Sequence, residues 1–229
     1  MAALVPVSDV ADELGLSKRR VRALIEAGQL PAERVGRSWL VSKQAVERVR
    51  HNGRRHGRPL SAANSWALLA LLAGEKPAWV RPDVLSRLRR YARDPEWLLS
   101  VVQHSESRAD VLPLWLSSDD RPKLSDYPLV RSGLAAPHAL SQLDVLPRVD
   151  EPLDAYANRE VAREIIKRFT PEENAVDPNV IIRVPGLQWV LDHEGEAPLS
   201  VDAADLLDHD DPRVRRAGKD ALRGLALAG

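Results

Sequence analysis

Apolar residues recur at helical spacing twice within the first thirty positions. Val10, Ala11 and Leu14 mark a short helix that Ser8 can cap and Gly15 can end; Val21, Leu24 and Ile25 mark a second, capped by Ser17 and closed by Gly28. After Pro31, Ala32 to Val35 and Trp39 to Val41 read as two short strands around Gly36-Arg37-Ser38. Ser42 then caps a third helix through Val46 and Val49. The pattern predicts two helices across the short Gly15-Leu16 turn, followed by a hairpin wing.

Beyond position 60 the pattern is mixed. Ser61 begins a helix carrying Trp66, Leu68, Leu69, Leu71 and Leu72, which Gly74 ends; Asp83 starts another through Tyr91, and Pro95 to Val102 predicts a third. Leu112 to Leu129 is punctuated by Pro, Ser and Asp, and Ser132 opens a small-residue helix through Ala139 and Leu140. Val145-Leu146 and Val180 to Val184 are β-like, the latter bounded by Pro178 and Pro185. Helices at Asn158 to Phe169, Val201 to Leu207 and Pro212 to Leu227 complete the set. The whole is α+β: an N-terminal winged helix-turn-helix at 1–50, a linker at 51–60 and a larger mixed α/β C-terminal domain at 61–229.

Charge sharpens this division. Through Leu60 there are twelve Lys and Arg against six acids, and the formal net charge of zero leaves the remainder negative by six. In a helix-turn-helix the second helix enters the major groove with its N-terminal residues nearest the bases. Ser17, Lys18, Arg19, Arg20 and Arg22 are therefore the candidate readers of double-stranded DNA. Arg34 and Ser38 flank the wing, and Arg37 is at its tip. The small, basic run His51 to Pro59 reads as a linker in which Arg54 and Arg55 can lie along phosphates. The alternative reading of these arginines is a solvated helix face.

The first fifty residues resemble the winged helix-turn-helix of excisionases and the MerR superfamily. The matching runs are Val7 to Gly15, Ser17 to Arg22, Ile25 to Pro31 and Arg34 to Trp39. The resemblance implies sequence-specific duplex DNA binding, with the wing on the backbone or minor groove. Ser38 and Leu40 stand where many relatives carry further basic residues, which implies weaker wing contacts.

Further along, Leu129 to Ala136, Asn179 to Val184, Ala203 to Leu207 and Asp211 to Gly218 together resemble the antitoxin-type partner of AbiE-family nucleotidyltransferase toxins. That resemblance implies an N-terminal domain that represses its own operon and a C-terminal domain that counteracts a cognate nucleotidyltransferase-like toxin. An excisionase-like module stands where such antitoxins more usually carry their own winged helix. From Asp144 to Asp211 there are 17 acids against 6 bases, an acidic balance that would complement a basic toxin surface or simply keep the domain soluble.

Other chemistries are weakly marked. Without cysteine there are no disulfides, thiolate nucleophiles or cysteine zinc sites. Asp192-His193-Glu194 and Asp208-His209-Asp210-Asp211 set carboxylates beside histidines, yet an acid before Pro212 is better explained as a helix cap. No phosphate loop or nucleophile elbow appears, so no cofactor, metal or catalytic residue is assigned and the reading is non-enzymatic. The six tryptophans are expected as core anchors, Trp39 fixing the wing. No run reaches the roughly twenty apolar residues of a membrane span, and no secretory signal is evident, which predicts a cytoplasmic protein. Three readings compete: an autoregulating antitoxin, a stand-alone regulator whose C-terminal domain senses a ligand or forms a homodimer, and an excisionase-like architectural protein.

Overall fold

The computed structural model describes residues 4–26, 30–36, 38–43, 45–46, 60–102, 108–136, 151–175 and 177–228. The chain divides into two compact units, Met1–Gly57 and Arg58–Gly229, of mixed α and β structure.

In the first unit, β1 (Leu4–Pro6) runs directly into α1 (Val7–Leu14), and α2 (Lys18–Glu26) follows. The hairpin is β2 (Ala32–Val35) and β3 (Ser38–Ser42). Ser42 Oγ accepts the Ala45 amide at 3.2 Å, capping the helical turn that begins at Lys43. Val10, Ala11, Val21, Leu30, Val41, Ala45 and Val46 form the core, with Trp39, Leu24 and Ile25 half-buried against it. Two details differ from expectation. The sheet has three strands in the order β1-β3-β2, because the three residues before the first helix pair antiparallel with β3, Val5 opposite Val41. Helix α1 therefore starts at Val7, behind extended Pro6, and Ser8 lies inside its first turn with its hydroxyl on Asp9, not at the cap.

The second unit is a five-stranded sheet between helices. Its helices are α3 (Ala62–Leu72), α4 (Pro82–Ala92), α5 (Pro95–Val101), α6 (Arg159–Phe169), α7 (Leu199–Asp205) and α8 (Pro212–Ala228). Its strands are β4 (Ala109–Trp115), β5 (Val130–Arg131), β6 (Leu153–Tyr156), β7 (Glu172–Glu173) and β8 (Val180–Pro185), in the order β5-β6-β8-β4-β7. Alternation along β8 sends Val180, Ile182 and Val184 to a core shared with Ala162 and Ile165 of α6, and Arg183 to the opposite face. There α3 is buried on all sides, as a helix apolar all round must be. Its Trp66 meets Tyr156 and Trp189 edge-on, at ring distances of 5.6 and 5.9 Å.

Here too the pattern misleads in places. The punctuated stretch after Leu112 conceals β4, since Pro113 lies within a strand. Its carbonyl accepts from Ala175 on the β7 side, so its missing N–H faces away from β8 and costs that ladder nothing. Strand β6 carried no alternation to announce it. Ser132 is extended and opens only a 3₁₀ turn, Gly133–Ala135, because Gly133 has φ +57°. The rest of that expected helix and the Val145-Leu146 strand lie outside the described residues. Trp115, expected in the core, is 48% exposed at the edge where β4 meets β7. No described helix is long and apolar enough to cross a membrane.

Candidate nucleic-acid interface

The turn between α1 and α2 is built from local signals. Gly15 takes φ 64° and ψ 31°, and the Leu16 amide reaches back to the Ala11 carbonyl at 2.9 Å, which closes α1. Ser17 Oγ accepts the Arg20 amide at 3.2 Å and its carbonyl accepts from Val21, which opens α2. Val21 is fully buried and Leu24 and Ile25 are half-buried, so the helix lies on the core by one face. At 3.6 residues per turn the opposite face centres on Arg19 and Ala23, flanked by Arg20 and Arg22. Lys18, Arg19, Arg20, Arg22 and Ala23 are all exposed, and none of the four cations pairs with another described side chain. Ser17 is exposed but spends its oxygen on the cap, leaving the hydroxyl proton for a phosphate.

In the wing, Val35 pairs with Ser38, so Ser38 is the first residue of β3 and the loop is the two residues 36 and 37. Gly36 has φ 62°, which suits a two-residue hairpin. Exposed Arg34 lies across from Trp39 with its guanidinium 5.9 Å above the indole. The wing thus shows a cation held against the ring that packs on the core. Arg37, Arg54 and Arg55 lie outside the described residues.

The second unit holds a buried polar cluster that sequence reasoning missed. On the sheet face opposite α6, Arg183 clasps Asp154 through Nε and Nη2 at 2.7 and 2.6 Å. Arg108 donates to Asp205 at 2.6 Å, and Tyr156 and Ser132 donate to the same carboxylate at 2.8 and 2.6 Å. The Gly133 amide donates to Asp202 at 3.0 Å. Burial, with the nearby charge of Asp205, pushes Asp202 well above the usual carboxylate range. Burial likewise raises the Tyr156 hydroxyl, which stays a donor. The expected acidic surface is reduced accordingly: Asp202 and Asp205 are interior groups, and Asp154 is largely covered.

Of the two histidine-carboxylate runs, the second is engaged in the fold. His209 sits 2.8 Å from Glu151, and Asp211 accepts the Arg213 amide at 2.8 Å, capping α8 ahead of Pro212. Among the described residues no group of three or more histidines and carboxylates could hold a metal ion.

Comparison with known proteins bears on the first unit. Residues 6–54 match the family model of a helix-turn-helix domain; the match ends before any of the four antitoxin-like blocks. No curated protein and no solved structure matches the chain. Residues 6–54 are thus a helix-turn-helix domain, and the chain is a protein with an N-terminal unit of the kind that binds DNA.

Proposed function

We propose that this protein is a non-catalytic DNA-binding regulator that reads a duplex operator through α2. It represses its own operon and, through the second unit, counteracts a nucleotidyltransferase-type toxin. The observation that carries the DNA reading is the exposed face of Lys18, Arg19, Arg20 and Arg22, without ion-pair partners among the described residues, on the second helix of a helix-turn-helix domain. One good bidentate contact from such an arginine discriminates a base pair by about 1–3 kcal/mol. Arg34 and the wing tip would lie on the backbone.

The antitoxin half rests on the four resembling blocks. Ser132 and Gly133, Arg183, Asp205 and Gly218 come one from each block or pair of neighbours within it. The first three blocks supply Ser132, Gly133, Arg183 and Asp205 to the buried polar cluster, whose Arg108, Asp154, Tyr156 and Asp202 lie outside them, and Gly218 stands against Ala203 and Leu206 beside it. The segments that carry the likeness therefore meet around one core, and whether that core counteracts a toxin is for the growth test to decide.

Two measurements test the two halves separately. Duplexes selected from a random pool should bind the full chain, and the Arg19→Ala, Arg20→Ala double variant should bind them at least ten-fold more weakly; equal binding rejects α2 as the reader. Expression of the adjacent gene alone should arrest growth, and both the full chain and that double variant should rescue it. A harmless neighbour leaves a stand-alone regulator, whose second unit senses a ligand or pairs with another copy.

A further inference from the structure

Helix α4 in the second unit carries a second cationic surface. Leu85 and Leu88 are buried beneath it, with Val84, Tyr91 and Ala92 partly covered, so the outward face centres on Arg90 with Arg87 and Arg93 one turn to either side. Arg89 stands at the margin, and all four are exposed. The acids nearby are already engaged. Asp83 pairs with Arg81 at 3.1 Å, Asp94 caps α5 through the Trp97 amide, and Glu96 meets Arg223 at 3.3 Å. None of Arg87, Arg89, Arg90 and Arg93 has an ion-pair partner among the described residues. The Arg90 guanidinium lies 5.3 Å above the Tyr91 ring, which stacks on Trp97 at 3.5 Å. That contact sets the central arginine against an aromatic face without neutralising it.

We propose that this face of α4 binds the phosphate backbone of duplex DNA, a proposal that rests on the reading of the chain as a DNA-binding protein. Three arginines three residues apart, about 4.5 Å per step along the helix axis, set their cations along one side of the helix. Duplex DNA offers one negative charge per about 1.7 Å, a density that meets such a row along its length. The cations are all arginine, whose planar fork grips phosphate oxygens two at a time. Phosphate contacts of this kind add affinity and salt dependence and carry no sequence preference of their own.

The test uses the full chain and a labelled random-sequence duplex of about forty base pairs, titrated across a range of salt. The Arg87→Ala, Arg90→Ala, Arg93→Ala variant alters only exposed side chains, and its fold is checked by circular dichroism. Its salt slope should be shallower than wild type by about 2.7, roughly 0.9 for each phosphate no longer neutralised. An Arg19→Ala, Arg22→Ala variant run in parallel should show its own, separate reduction. A reduced slope in the α2 variant with none in the α4 variant overturns this proposal and leaves the helix-turn-helix reading standing. No binding by wild type overturns both. Retention of the α4 variant's DNA slope together with loss of binding to anionic phospholipid vesicles would assign the face to a membrane surface, and so overturn the proposal too.

Discussion

Arg108 and Asp205 meet at 2.6 Å with side chains 0% and 1% exposed, 97 residues apart in the chain. The pair is the centre of the second unit. Asp205 also accepts from Tyr156 and Ser132, and Arg183 stands 3.9 Å away holding Asp154. Two buried arginines, Arg108 and Arg183, thus face two carboxylates, Asp205 and Asp154, in this interior.

Removing Asp205 breaks that balance. Asp205→Ala leaves Arg108 buried with no carboxylate and strips Tyr156 of its acceptor, while Ser132 keeps only its longer bond to Asp202, at 3.1 Å. Breaking a buried pair in this way costs about 3–5 kcal/mol. Chemical denaturation of the full chain should show the second unit unfolding at much lower denaturant; a loss below about 1 kcal/mol would mean that water reaches the pair.

Asp202 gives the cluster a pH dependence of definite sign. Its folded value lies well above the ordinary 3.8, so the folded state holds the proton more tightly than the unfolded chain. Its contribution to stability is complete below 3.8 and is lost as pH rises from there toward the folded value. Asp202→Asn keeps the oxygen that accepts from Gly133 and cannot ionise. The variant should therefore gain on wild type as pH is raised from about 4 to 8 in urea melts. A difference that stays constant over that range would show that the folded value of Asp202 is not raised above its unfolded one.

Helices α7 and α8 cross at Gly218, where an added Cβ would stand 2.7 Å from the Ala203 carbonyl oxygen and 3.0 Å from Leu206 Cβ. Backbone cannot yield as a flexible side chain does. Gly218→Ala should lower stability by about 1–3 kcal/mol through forced separation of the helices, despite alanine's better helix propensity. A thermal melt is enough to decide it, since a rise in Tm would place the helices further apart than the structure does.

These features were not equally legible in the chain. The first unit announces itself because its signals are local: Gly15 ends one helix, Ser17 opens the next three residues before Arg20, and Ser42 opens a third before Ala45. Strand β1 escaped because three residues are too few to show a period of two. The polar cluster escaped for a different reason. Ser132 and Asp205 are 73 residues apart, and nothing at either position specifies the other. Two traces were nonetheless readable: Arg183 stands alone in the apolar run Val180 to Val184, and Asp202 and Asp205 recur one helical turn apart around Ala203-Ala204. A charge inside an apolar element calls for a buried partner, although only the fold says which. On the surface, Arg87, Arg90 and Arg93 are spaced by one helical turn in plain sight, but their lack of partners among the described residues depends on where Asp83, Asp94 and Glu96 turn.

The wing offers the sharpest separation of folding from recognition. Trp39 is half-buried against the helix-turn-helix core and supports Arg34 across the hairpin. Trp39→Ala should lower the stability of the first unit by about 2–3 kcal/mol, less than the truncation of a fully buried tryptophan. Trp39→Phe keeps an aromatic platform of smaller area and should lose less than half of that. Arg34→Ala removes only the exposed partner of the stack, so it should leave the melting temperature within about 2 °C. It should instead lower the salt slope of duplex binding by about one phosphate's share. If Arg34→Ala unfolds the unit while leaving the slope intact, the arginine is a structural cover for Trp39, and the wing meets DNA through other residues.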